Sequence, residues 1–229
     1  MTKSTNGRSD DDKVRLDGHG VEAELLADWR VLFGVLHGRF ETGDFATGLR
    51  FVNAIGAAAE EVDHHPDIDL SYPRVDVRLT SHDSGGVTQR DIRLARVITD
   101  LAAQVGAKAR PEQTSVLELG LDTPDHEAVK PFWAALLGYT TTDHDEEVVD
   151  PGGRRPTVWF QKSELGETPV QRWHLDLRLP PEVVDTRIQA ALDAGGTLVS
   201  DERAPTFWVL ADAQGNQACI TTWLGRTDA

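Results

Sequence analysis

Cysteine is nearly missing from this sequence: Cys219 is the only one in 229 residues. An intramolecular disulfide is therefore impossible, and so is a zinc site built from several thiolates. Positive charge is scarce as well. Lys and Arg total 23 against 38 Asp and Glu, a formal net charge of -15. Nucleic-acid backbones and anionic membranes attract clustered Lys and Arg, so neither is expected as a partner. No apolar run approaches membrane-spanning length. Residues 1–13 are polar, carry Asp10, Asp11 and Asp12 in a row, and lack the apolar centre of a signal peptide. A cytoplasmic protein with a disordered tail over residues 1–13 is the expectation.

What the chain does contain is unevenly spread. Trp29 stands alone before residue 110, whereas Trp133, Trp159, Trp173, Trp208 and Trp223 all follow it. Between them, residues 106–113 show no apolar period and include Gly106 and Pro111, which reads as a linker over 108–113. Two domains result, 14–107 and 114–229. In the first, residues 29–40 are rich in strand formers. Residues 44–62 predict a helix, with Phe45, Leu49, Val52, Ile55, Ala59 and Val62 as its apolar face. Residues 72–80 alternate, with Val75, Val77 and Leu79 opposed to Asp76 and Arg78, as in a half-buried antiparallel strand. Asp83-Ser84-Gly85-Gly86 predicts a turn. Thr88-Gln89-Arg90-Asp91 resembles a capping box with Asp in place of Glu. It opens a helix that buries Ile92, Ala95, Ile98, Leu101 and Val105. The pattern is α+β, an antiparallel sheet with helices on one face.

The chemistry of this domain concentrates between Glu60 and Asp91. Glu60 precedes His64 by four residues, His64 and His65 are adjacent, and Pro66 ends the helix. Tyr72 is read as the start of the next strand and His82 as its end. Positions four apart share a helix face, so Glu60 is expected to reach the His64 ring. A lone histidine near a helix C-terminus commonly just caps it. Three histidines at the rims of neighbouring elements point instead to one cleft. Chelation of a metal is a rival reading, but adjacent helical histidines diverge and no second carboxylate is spaced to join them.

The run Glu60-x-x-x-His64-His65-Pro66, then Tyr72, His82 and Asp91, resembles the signature of the pterin-4a-carbinolamine dehydratases. Phe40, Phe45, Gly85-Gly86 and the Ser81-His82-Asp83 run, where that family usually has Thr-His-Asp, fit the same pattern across about residues 14–107. The resemblance implies dehydration of a 4a-hydroxytetrahydropterin to a quinonoid dihydropterin. It implies His64 and His82 as the acid–base pair and Glu60 as the group that fixes a histidine tautomer. His65 and Asp91 would bind substrate, and no metal or organic cofactor is required. Histidine suits both proton transfers because its unperturbed pKa is about 6.5.

The second domain repeats itself. Glu118-Leu119-Gly120-Leu121 aligns with His174-Leu175-Asp176-Leu177, an offset of 174 - 118 = 56 residues. Pro124 then falls on Pro180, and Ala134-Ala135-Leu136 on Ala190-Ala191-Leu192. Each copy predicts a strand, a Pro-started helix and a glycine stop at Gly138 or Gly195. Pro131 is expected to kink the first helix. Further strands are expected at 157–161, 207–210 and 217–223. This repeat, with Leu136-Leu137-Gly138-Tyr139, Trp173-His174-Leu175-Asp176-Leu177 and Asp212-Ala213-Gln214-Gly215-Asn216, resembles the glyoxalase-like branch of the vicinal oxygen chelate superfamily over about residues 114–224. The resemblance implies paired βαβββ modules around a cup that holds a divalent metal in family enzymes. Glu118, His174 and Cys219 would stand at ligand positions, with Phe160 at the fourth. Phe160 cannot ligate, so the expectation is a small-molecule cup without a metal, its ligand unidentified.

Three functions stay open from sequence. The intact histidine set favours a pterin dehydratase with an accessory binding domain. A non-catalytic protein that stabilises partner oligomers, and a metal-dependent lyase or dioxygenase housed in the second domain, are the alternatives. An exposed sheet edge in the first domain makes a homo-oligomer the expected assembly.

Overall fold

A computed structural model describes residues 10–142, 146–163, 173–193, 195–211 and 217–226. The run 212–216 and residues 1–9 of the tail lie outside the described residues. Asp10–Lys13 form a short 3-10 turn, and Asp12 pairs with Arg93 at 2.9 Å. The chain divides into two compact units between Thr114 and Ser115.

The first unit is an antiparallel sheet of five strands, β1 (Trp29–Leu32), β2 (Val35–Glu41), β3 (Asp67–Ser71), β4 (Arg74–Leu79) and β5 (Lys108–Ala109). Their order is β1-β2-β4-β3, with β5 also on β2. A short helix, α1 (Gly18–Glu22), precedes them, while α2 (Phe45–Val62) and α3 (Gln89–Val105) supply the apolar cover. Alternation assigns the faces: Leu36, Phe40, Val75, Val77 and Leu79 are buried, while His37, Arg39, Asp76 and Arg78 point the other way. Phe40 stacks edge-to-face on Phe51 of α2 at 5.3 Å and on Trp29 at 5.6 Å. The Trp29 indole donates to Thr99 of α3 at 3.1 Å, so both helices meet the same face of the sheet.

Several local expectations change here. The buried face of α2 is Gly48, Phe51, Ile55 and Ala59, whereas Phe45, Leu49 and Val62 are exposed. Gly48 lies close against Leu70, whose side-chain tip a Cβ at that position would have to displace from 2.6 Å. Tyr72 does not begin a strand; it lies in the turn between β3 and β4 and is exposed. The stretch read as a linker is partly sheet: Lys108 and Ala109 pair with Glu41 and Phe40, and Arg110 binds Glu41 at 2.7 Å.

The second unit runs β6 (Val116–Thr123), α4 (His126–Leu137), β7 (Thr140–Thr141), β8 (Glu147–Val149), β9 (Thr157–Lys162), and then β10 (Trp173–Arg178), α5 (Val184–Asp193), β11 (Thr197–Ser200), β12 (Phe207–Ala211), β13 (Gln217–Thr221). These are two βαβββ modules in one eight-stranded sheet, ordered β11-β12-β13-β10-β6-β9-β8-β7. The helix α4 continues through Pro131. Gly138 and Gly195, the stops after α4 and α5, both take positive φ, at 65° and 94°. The modules join where β6 and β10 pair antiparallel, and there Leu119 lies opposite Leu175, its own counterpart in the repeat. Leu121, Val158 and Phe160 pack on the α4 side with Tyr139 and Val148; Leu179, Leu210 and Ile220 pack on the α5 side with Val184.

The packing of α2 gives a direct test. Phe51→Ala should cost about 3–5 kcal/mol, as for a fully buried aromatic side chain. Leu49→Ala, on the stripe that the apolar period favours, should stay within about 0.5 kcal/mol. Urea denaturation measures both, and equal costs would contradict the observed face.

Candidate functional site

The helix α2 ends before the histidines. Asp63 adopts the left-handed conformation at φ 49°, and its N–H and that of His64 both return to the Ala59 carbonyl. His64 and His65 therefore leave the helix instead of continuing it, and the four-residue face rule no longer applies to them. Glu60 meets His65, at 3.1 Å on the exposed surface, and not His64. This corrects the expected Glu60–His64 pair.

His64 turns to Asp91. Its Nε2 lies 2.7 Å from Asp91 Oδ1, with the histidine side chain 10% exposed and the carboxylate 0%. The other carboxylate oxygen, Oδ2, accepts from Ser81 Oγ at 2.7 Å and from the Thr88 N–H at 2.8 Å. The expected capping box is thus present, but its acid serves two further groups. Burial alone would raise the Asp91 pKa; the bonds from His64, Thr88 and Ser81 outweigh it and hold the carboxyl below its usual range. An ionised carboxylate only accepts, so the neutral His64 ring must carry its proton on Nε2. Asp91, expected to contact substrate, is enclosed, and its oxygens are bonded to His64, Ser81 and Thr88 of the chain itself.

His82 follows Ser81 directly and is exposed in a 3-10 turn, His82–Ser84. The turn is closed by the backbone pair Ser81–Gly86 at 2.9 Å. Asp83 anchors it through Arg90 of α3, whose guanidinium beside Asp83 lowers that carboxyl's pKa. Asp91 therefore joins the end of α2, which carries His64 and His65, to the end of β4, which carries His82.

In the second unit, strand alternation puts Glu118, Gly120 and Asp122 of β6 on one face with His174 and Asp176 of β10 and Cys219 of β13. Glu118 lies opposite Asp176, and His174 opposite Gly120, so the two repeat-equivalent residues do not pair directly. The His174 ring lies over Gly120, where a Cβ would come within 2.4 Å of it, and packs edge-on to Trp159 at 5.2 Å. Phe160 is not part of this face. It is fully buried on the helix side with Leu121, because a one-residue step along a strand reverses the side chain. Trp159 holds the place expected of it.

Asp176, which the repeat alone does not mark as a site residue, shares this face with His174. It is 7% exposed, and its Oδ1 has no hydrogen-bond partner among the described residues. Burial raises its pKa, only partly offset by His174. Burial, with Asp176 beside it, pushes the Cys219 thiol up to about 12. The strand period carried the signal, since the residue two after His174 must share its face. The donors of His174, Asp176 and Cys219 lie within 4.8 Å of one another. These nitrogen, oxygen and sulfur donors, with the orphaned oxygen and the glycine slot under the ring, fit a divalent metal.

The first unit is thus a small α+β domain with a histidine-bearing rim, and the second is a pair of βαβββ modules sharing one sheet. The sequence profile for pterin 4 alpha carbinolamine dehydratase matches residues 14–101, and that for a glyoxalase-like domain matches 118–221. A relative from Thermosynechococcus vestitus, provisionally named a pterin-4-alpha-carbinolamine dehydratase, is 44% identical over 90 residues, 38% of this chain and 95% of its own. One from Aquifex aeolicus with the same provisional name is 39% identical over 84 residues, 37% of this chain and 85% of its own. The crystal structure of a transcriptional coactivator/pterin dehydratase from Brucella melitensis is 33% identical, covers 39% of this chain and 99% of that one, and has a TM-score of 0.37. The chain belongs to the pterin-4-alpha-carbinolamine dehydratase family. Among the described residues, no helix is long and apolar enough to cross a membrane.

Asp91 yields a pH-dependent prediction. Asp91→Asn should cost about 1–3 kcal/mol near neutrality, since the isostere leaves buried partners poorly matched. A carboxyl with a lowered pKa contributes stability above its unfolded value, about 4, and loses it as pH falls further. The gap between wild type and Asp91→Asn in urea denaturation should therefore narrow below about pH 4. A gap that is constant from neutral to acid pH would contradict the burial of an ionised Asp91.

Proposed function

We propose that the first unit dehydrates a 4a-hydroxytetrahydropterin to a quinonoid dihydropterin. The observation that supports this most is the Asp91 junction, which ties both histidine-bearing ends to one buried carboxylate. In the reaction the bond from carbon to the 4a-hydroxyl breaks, the hydroxyl gains a proton to leave as water, and a ring nitrogen loses one. No electron is gained or lost, and no cofactor is proposed.

His64, with its Nε2 proton directed at Asp91, keeps the Nδ1 lone pair to take the proton from the ring nitrogen. The Asp91 charge then stabilises the imidazolium that forms. His82, exposed beside the same junction, supplies the proton to the leaving hydroxyl. His65 holds the pterin, with Glu60 fixing its ring. The small-molecule partner is thus a pterin for the first unit and an unidentified ligand for the second. A homo-oligomer is proposed through β3, an edge strand with one side unpaired within the sheet.

Dehydratase assays on the full chain test the reading. His64→Ala and His82→Ala should each lower kcat about 10²- to 10⁴-fold, the worth of one acid–base group. His65→Ala should act mainly on KM. Wild-type turnover in the His64→Ala, His82→Ala double variant would sink the proposal.

A further inference from the structure

We infer that the second unit carries a one-copy metal site, in which His174 and Asp176 of β10 and Cys219 of β13 bind a zinc-class divalent ion. The inference does not depend on the dehydratase reading. It departs from a cup built symmetrically by both repeats, because all three ligands come from the second copy.

The backbone sets the ligands out. His174 and Asp176 are two apart on one strand and so share a face, and Asp176 is in register with Cys219 on the parallel neighbour. His174 Nε2 and Asp176 Oδ1 are 3.7 Å apart, too far for a hydrogen bond. Two ligands about 2.0–2.2 Å from one tetrahedral ion would be roughly 3.4 Å apart, so a small side-chain adjustment closes the site. Asp176 is the buried group that asks for an occupant: its Oδ1 has no hydrogen-bond partner among the described residues, and it points toward His174. On the other side of the ring, Asp122 Oδ1 stands 3.6 Å from His174 Nδ1. Metal-binding histidines commonly carry a carboxylate behind the non-ligating nitrogen, and the same small side-chain adjustment that closes the site would bring Asp122 within hydrogen-bond reach.

The repeat shows why the site is lopsided. The counterpart of Asp176 in the first copy, at 176 - 56 = 120, is Gly120. Without a side chain there, the first copy offers no ligand at that place and gives the His174 ring its room. Mixed nitrogen, oxygen and sulfur donors favour Zn²⁺ over Mg²⁺ or Ca²⁺, which prefer oxygen alone. Three protein ligands leave the fourth position open to water or to an oxygen of a bound molecule, as in zinc sites that do chemistry.

Zn²⁺ binding to the chelator-treated full chain tests this, followed by calorimetry. The expected result is one Zn²⁺ per chain, with a rise in melting temperature. Asp176→Asn and Cys219→Ser should each weaken binding more than about 100-fold, beyond the loss of a residue that only orients a ligand. Asp122→Asn should weaken it about 10- to 100-fold. With Co²⁺ as the probe, the thiolate-to-metal absorption band should appear in wild type and vanish in Cys219→Ser. Metal-free melting temperatures matching metal-free wild type would show that the variants fold, and the Co²⁺ spectrum decides the case for any variant that does not. No stoichiometric Zn²⁺ in wild type overturns the inference. So does unchanged affinity in Asp176→Asn, or a loss found in Glu118→Gln in its place.

Discussion

A single buried carboxylate organises the first unit. Asp91 is enclosed, and an enclosed charge is tolerated only when hydrogen bonds replace its water. His64, Ser81 and the Thr88 N–H do this at 2.7–2.8 Å. Each comes from a different part of the chain: the exit from α2, the end of β4 and the cap of α3. The same contacts that stabilise the start of α3 therefore fix where two histidine-bearing segments meet. Loss of His64 would leave Asp91 Oδ1 without the bond that offsets its burial, whereas Oδ2 keeps the Thr88 N–H even without Ser81.

The second unit depends on an analogous constraint at the level of register. Pairing Leu119 with Leu175 puts the junction of the two copies on an apolar pair, and alternation then sends the polar residues on either side to the opposite face. The copies have kept this frame while diverging on the polar face. One offers Glu118, Gly120 and Asp122 and the other offers His174, Asp176 and Arg178. The clustered donors His174, Asp176 and Cys219 all lie in the second copy, and Gly120 in the first leaves room for the His174 ring.

Much of this was legible in the sequence. Strict alternation marked β4, the capping box marked the start of α3, and the repeat offset gave the paired modules. The failures have identifiable physical causes. In α2, Phe45, Leu49 and Val62 keep an apolar period, yet Phe51 and Gly48 decide the buried face because ring stacking and close approach to Leu70 outweigh the count of apolar residues. Asp63 ends α2 in a left-handed conformation, which Asp tolerates better than most residues, and the four-residue helical spacing stops there, so Glu60 meets His65 and not His64. Phe160 is one residue from Trp159, and in a strand one residue is the difference between the core and the polar face. Asp176 lay inside a recognised motif and needed only the period of two to be placed beside His174.

The central claim is that Asp91 holds the His64 ring in one orientation, with its proton on Nε2. Nitrogen-15 NMR of the imidazole measures this directly on the full chain at a pH where the ring is neutral. The account predicts a single Nε2–H tautomer for His64, its proton shifted by a strong hydrogen bond, and loss of that state in Asp91→Asn. An Nδ1–H tautomer, or a ring averaging between the two forms as an exposed histidine does, would contradict it.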